Sequence, residues 1–201
     1  PTSSTTPSVP RSLKLDGNGY VQVPDAPRLA LNQWSVMAWV RPLAANGNGK
    51  IIARQVMDDV FNYALELHNG TPRIRFTVGT NLAGDDVVLS ATAPLVVNKW
   101  THLAGVLDAS QRQLSLYVDG NLVTNIFTAK LAASAGLGVV QTRVGEGFKG
   151  SIDDVAIING PVDSAAVAMC MRGVATYQGG GPGVSAALVL FYPFNDGTSA
   201  T

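Results

Sequence analysis

What this 201-residue chain has least of are cysteine, with one residue, histidine, with two, and any surplus of charge, with 14 basic residues against 14 acidic ones. A lone Cys170 excludes a disulfide framework and a thiolate metal cluster, so the fold has to stand on its core. The basic residues are scattered singly from Arg11 to Arg172, with only Arg73 and Arg75 close together. Without a basic stripe there is no footprint for nucleic acid. No apolar run approaches the roughly 18 residues that cross a bilayer as a helix, so membrane insertion is not expected. His68 and His102 lack the spacing of a zinc site. Glutamate is limited to Glu66 and Glu146.

What is present points to a β protein. Hydrophobic residues make up 46% and charged residues 14%, a globular balance, and this length fits one all-β domain. The opening "PTSSTTPSVP" is too polar to pack and too rich in proline to join a sheet, so residues 1–11 read as a linker and 12–201 as the domain. Such a leader implies other domains of a longer modular chain, with any export signal upstream.

From Ser12 to about Ile158, period-2 alternation recurs with turn residues every 8 to 12 positions, the pattern of a β-sandwich or jelly roll. "PRIRFTVG" alternates Ile74, Phe76 and Val78 with Arg73, Arg75 and Thr77, which gives it one wet face. "WSVMAWVRP" is apolar on both faces and belongs at the centre of a sheet. "DGNG", "NGNG", "HNGT" and "DGN" supply residues that tolerate positive φ at hairpin turns. One helix is expected at "DSAAVAMCMRG", capped near Asp163 and stopped at Gly173. A Gly-rich loop, "QGGGPG", follows it, and "AALVLFYPF" should return as a last strand in the sheet that holds the first.

Several motifs carry chemistry in principle. "GEGFKG" satisfies G-x-G-x-x-G, but it precedes the strand pattern "SIDDVAII" rather than a helix, so it is not a dinucleotide site. In "FNYALELHNGTPRIRFTV", Glu66 and His68 share a face with Arg73 and Arg75, and a loop of Asn69 to Pro72 would set Glu66 opposite Arg75. Cross-strand ion pairing explains these residues without function. The sharper reading is a polar ladder that hydrogen-bonds a glycan, with Tyr63 stacking on a sugar. Asn69-Gly70-Thr71 is an N-glycosylation sequon on an expected turn.

Four segments, taken in order, resemble the laminin G-like, concanavalin A-like jelly-roll family. They are "LKLDGNGYVQVPDAPRL", "WSVMAWVRP", "NKWTHLAGVLDASQRQLSLYVDGNLV" and "RVGEGFKGSIDDVAIINGPVDSAAV". The resemblance implies an all-β, two-sheet antiparallel jelly-roll sandwich with one short C-terminal helix. It also implies calcium, which takes six to eight hard oxygens. Asp16 with Asn18 in the first turn, and Asp153 with Asp154 where Ile152 and Val155 break alternation, are the candidate ligands. The doublets Asp58-Asp59 and Asp85-Asp86 would form a second, ligand-bridging calcium site on the rim, unless they are simply solvated loop tips. Some enzymes share the sandwich, but their E-x-D-x-x-E strand is missing here, and catalysis is not expected. The function implied is a non-catalytic recognition module, extracellular or at the cell surface, that binds a glycan or an extracellular protein. A structural spacer domain of a modular surface protein is the alternative, followed by a glycoside hydrolase or lyase of the same fold.

Overall fold

The computed structural model describes residues 12–79, 86–133, 140–172 and 187–194. Among these, thirteen strands form two antiparallel sheets. Seven strands make one sheet: β1 (Leu13–Asp16), β3 (Trp34–Pro42), β8 (Thr101–Asp108), β9 (Gln113–Val118), β10 (Asn121–Phe127), β12 (Lys149–Asn159) and β13 (Ala187–Tyr192), in the order β1-β12-β3-β8-β9-β10. The six others are β2 (Val21–Val23), β4 (Gly49–Met57), β5 (Val60–His68), β6 (Thr71–Thr77), β7 (Asp86–Ser90) and β11 (Gln141–Val144), in the order β2-β11-β4-β5-β6-β7. The result is a two-sheet jelly-roll sandwich, as the alternation implied.

Turn residues set the hairpin registers. Asn69-Gly70 and Asp119-Gly120 each have positive φ at both positions, which closes β5–β6 and β9–β10 with two-residue turns whose twist suits the flanking strands. The final strand does return to the sheet of the first. β1 pairs with β12 over Gly150–Ile152 and its neighbours, while β13 pairs with the same strand beyond Val155, so the two ends share one long partner. Between those halves, β12 shifts register at Asp153–Asp154, with Asp154 at φ 45°. That irregularity lets Ile152 and Val155, three apart, both reach the core.

Inward-facing side chains of both sheets interdigitate around Trp34, whose indole meets Tyr63 and Phe76 edge-on at 5.9 and 6.4 Å. Leu103, Leu114, Leu116, Ile74 and Leu65 pack around them, each fully buried, and burying such a side chain contributes about 1.5–3 kcal/mol. Val118, the third inward residue of β9, sits at the core margin. Gly105 on β8 lets the sheets approach closely, since a Cβ there would lie 2.5 Å from the Ile74 side chain.

The two outward faces differ. On the seven-stranded sheet, Met37, Ala104, Val106, Ala156 and Ile158 are apolar and are covered by Val162 and by Ala166, Val167 and Cys170 of helix α1 (Ser164–Met171). Asp163 caps that helix, accepting a hydrogen bond from the Ala166 N–H at 2.7 Å. Cys170 is buried, and burial pushes its thiol up to about 11, so it is a packing residue. On the six-stranded sheet the outward positions are mostly polar or charged. Gly145 and Gly147 of "GEGFKG" lie in a turn and Gly150 lies in β12, so the motif opens a strand rather than a helix.

Candidate functional site

The outward face of the six-stranded sheet collects Glu66, Arg73, Arg75 and Asp86 from the charged side chains that the sequence singled out. Register alignment places Gln22, Arg143, Ala53, Ala64, Arg75 and Val88 in one row across β2, β11, β4, β5, β6 and β7. Two alanines therefore occupy the middle, with an arginine on either side. The arginines stand three strand spacings apart, about 14 Å at the backbone. Phe61 lies beside the alanines, in one small apolar cluster with them. Arg75 stacks over its ring at 4.1 Å and Lys50 approaches it at 5.3 Å.

Seven ionised groups frame this floor in two clusters. In one, Glu66 accepts from Arg73 Nε at 2.7 Å and Arg75 Nε at 3.0 Å, and Asp86 accepts from Arg75 Nη1 at 2.6 Å and from the Thr77 hydroxyl at 2.5 Å. In the other, Glu146 accepts from Lys50 Nζ at 2.8 Å and from Arg143. Partial burial raises the Glu146 carboxyl, but the hydrogen bonds and charges of Lys50 and Arg143 outweigh that and hold it below the ordinary glutamate value. Arg143 also lies over the ring of Tyr20 at 4.4 Å, and Tyr20 is 44% exposed.

Glu66, Arg73 and Arg75 thus form the polar ladder expected of them, with two corrections. Because the turn is Asn69-Gly70 alone, Glu66 faces Arg73 in register, and Arg75 faces Ala64 and reaches Glu66 diagonally. Tyr63 is not available to a sugar. It belongs to the inward set with Leu65 and Leu67, is fully buried, and its hydroxyl donates to the Leu29 carbonyl at 3.5 Å, while burial pushes its pKa up. Along β5, Tyr63 alternates with the face of Glu66 and His68 and so points to the core. His68 is exposed at the end of β5, outside the ion network. Asn69 is exposed in the adjoining turn, where its backbone N–H donates to Asn48 Oδ1.

The carboxylate candidates for a metal are dispersed. Asp16 turns back on its own loop, accepting from the Asn18 backbone and side-chain amides, and these bonds hold it below the ordinary aspartate value. It pairs with Lys149, four residues along β12 from Asp153, so the first turn and the closing-strand pair do not make one site. Burial raises Asp153 to about 6 and also raises Asp154, each half-buried. Asp58 and Asp59 are exposed in the β4–β5 turn, Asp86 is committed to Arg75, and Asp85 lies outside the described residues. Among the described residues, no group of three or more His, Cys, Asp or Glu is placed to hold a metal ion.

Sequence reasoning missed Tyr20, Lys50, Arg143 and Glu146. Lys50 and Arg143 come together only because β4 and β11 are neighbours, although 93 positions separate them, and no local pattern announces that pairing. It also passed over one row on the opposite sheet. Asp153, Trp39 and His102 are register partners there, with Asp119 beside His102. Trp39 meets His102 edge-on at 5.4 Å, and burial lowers the imidazole to about 4 against a smaller opposing pull from Asp119. His102 is thus a buried, packed residue.

Among the described residues, no helix is long and apolar enough to cross a membrane. No curated protein sequence matches the chain. Solved structures similar to it include a CBM40 module of the Ruminococcus gnavus IT-sialidase bound to alpha2,3 sialyllactose, 15% identical, covering 80% of this chain and 96% of that one at a TM-score of 0.67. Domain 4 of the extracellular arabinanase AbnA from Geobacillus stearothermophilus, in complex with arabinotriose, is 18% identical over 79% of this chain and 75% of its own, at 0.59. The heptameric SAP-like pentraxin of Limulus polyphemus is 12% identical over 92% and 88%, at 0.53. At these identities the likeness is one of fold. The model of the laminin G-like family, described as the concanavalin A-like lectin/glucanases superfamily, matches residues 15–168, and the chain belongs to that superfamily.

Proposed function

We propose that the chain is a non-catalytic carbohydrate-binding module that works outside the cell, and that the outward face of its six-stranded sheet holds the glycan. One observation carries this reading. The face presents partly exposed, hydrogen-bonded arginine, lysine and carboxylate groups around a small apolar floor, while the opposite face is filled by α1. Fixed donors and acceptors beside an apolar surface are what a sugar, with hydroxyls at its edge and C–H groups on its faces, requires. The sialyllactose and arabinotriose complexes of similar domains support the carbohydrate-binding role.

The carboxylates of this face support a binding role over hydrolysis there. A glycosidase needs an acid with a raised pKa next to a second carboxylate. Both glutamates of this chain are tied to two cations each, and Glu146 is held below its ordinary value. Calcium is a narrower, separate proposal. Asp153 and Asp154 would supply two of its oxygens, and a cation there would relieve the burial that raises both carboxyls. A melting temperature that rises with millimolar calcium in the unaltered chain, but not in Asp153→Asn, is the expected result.

A glycan array followed by calorimetry on the hits tests the main reading. At least one saccharide should bind, and Arg73→Ala should weaken it about tenfold, the worth of a charge-assisted hydrogen bond. Binding that is indifferent to Arg73→Ala and Arg75→Ala would move the site elsewhere, and an array without hits would leave the spacer role.

A further inference from the structure

We infer that the glycan held on this face carries a single negative charge, a carboxylate or a sulfate, taken up by Lys50 and Arg143 beside the ring of Tyr20. The inference rests on the carbohydrate-binding reading above and adds the chemical class of the ligand.

The two ionic clusters of the face are not equivalent. On the β5–β7 side, Arg73 and Arg75 meet Glu66 and Asp86, two positive against two negative charges, and Arg75 is sealed against Phe61. On the β4–β11 side, Lys50 and Arg143 share Glu146 alone. That cluster has one positive charge too many. Both cations are partly desolvated, with side chains 25% and 21% exposed, so bulk water screens the surplus incompletely. A monoanion at this spot would neutralise the cluster, and a dianion would overcharge it.

Geometry makes the surplus usable. An ammonium has three N–H donors and a guanidinium five. Glu146 takes one from Lys50, and Arg143 spends Nη1 on Glu146 and Nε on Gln22 Oε1 at 3.3 Å. The Arg143 Nη2 edge makes no bond among the described residues and remains to meet an oxyanion. Because Glu146, Gln22 and Tyr20 already fix Arg143 in place, little side-chain freedom is lost on binding. Tyr20 adds an exposed aromatic surface next to the charge, which suits a sugar whose acidic group projects from the ring.

Calorimetry with four probes tests this: sialyllactose, a glucuronate-terminated trisaccharide, 3′-sulfated lactose and neutral lactose, each in 50 and 500 mM NaCl. At least one acidic sugar should bind about tenfold or more tighter than lactose at low salt, and the preference should shrink at high salt. Which acid leads separates carboxylate from sulfate. Lys50→Gln and Arg143→Gln should each bring the ratio toward one, with melting curves to check folding. The salt dependence reads the same charge in the unaltered protein. Lactose binding as tightly as every acid overturns the inference and leaves the carbohydrate-binding role intact. An acid preference that survives both substitutions overturns the placement at Lys50 and Arg143. Absence of binding by every saccharide tested, together with an empty array, overturns the role itself.

Discussion

On the seven-stranded sheet, the outward positions of β3, β8 and β12 carry Met37, Ala104, Val106, Ala156 and Ile158, and α1 closes over them. On the six-stranded sheet, the outward positions of β4, β5, β6 and β11 carry Lys50, Ala53, Ala64, Glu66, Arg73, Arg75 and Arg143, with no described helix above them. Both faces arise from the same period-2 alternation. The difference is how each meets the cost of facing outward. An apolar sheet face of that size would be a sticky patch in water and needs a cover, whereas a charged one can stay open if its ions satisfy each other. The covered face therefore contributes mainly to stability, and the open face is the one a ligand can reach.

The sharpest way to break this contrast is to place a charge under the cover. Val167 is fully buried between α1 and the sheet, in a cluster without a charged side chain whose polar groups are the Cys170 thiol and the Tyr117 hydroxyl. Val167→Asp should cost about 4 kcal/mol or more in chemical denaturation, since the carboxylate finds no partner there. Any glycan affinity of the molecules that remain folded should be unaffected, because the two faces are separated by the thickness of the sandwich.

Next in size is a pH effect confined to the covered sheet, at the row where α1 ends. The folded-state pKa of His102, about 4, lies below the value of about 6.5 expected when unfolded, because burial disfavours the imidazolium. The unfolded chain therefore takes up the proton first, and stability is lost as pH falls from about 6.5 toward 4, by about 3 kcal/mol at the lower end. His102→Gln should flatten that part of the curve of unfolding free energy against pH. Asp153, two strands away in the same row, slopes the other way. Its folded value of about 6 exceeds the unfolded one, so it costs nothing below about pH 4, and its penalty grows as pH rises to about 6. Asp153 is half-exposed, and with solvent screening the penalty is about 1 kcal/mol. Asp153→Asn should therefore stabilise the calcium-free protein at pH 7 by that amount and do nothing at pH 3.5.

How much of this contrast was legible beforehand depends on how far apart in the chain its parts lie. Alternation and turn chemistry are local, so the sandwich, the hairpin of Leu114 and Leu116, the helix cap at Asp163 and the break at Asp153–Asp154 could all be read from short windows. The ladder of Glu66, Arg73 and Arg75 was legible too, since one hairpin contains it. Its register was not, because "HNGTP" accommodates loops of two or four residues, and only the pair of positive-φ residues at Asn69-Gly70 decides between them. The Lys50–Glu146–Arg143 cluster depends on which strands become neighbours, and that is settled by the packing of the whole sandwich. Tyr63 was readable but misread. Parity along β5 already put it with Leu65 rather than with Glu66.

The smallest stability effect is expected on the open face, and it is the one that separates the roles of the two faces. Arg73 is about a quarter exposed, and its removal leaves Glu66 still held by Arg75. Arg73→Ala should accordingly change unfolding free energy by about 1 kcal/mol, because Arg75 still neutralises the buried Glu66 carboxylate. The same substitution should lower glycan affinity about tenfold. A change that barely moves the melting curve and strongly weakens binding is what a ligand face produces and a structural face does not. If Arg73→Ala instead destabilised the chain as much as Val167→Asp, the charged ladder would be holding the sheet together, and the open face would be no more free for a ligand than the one beneath α1.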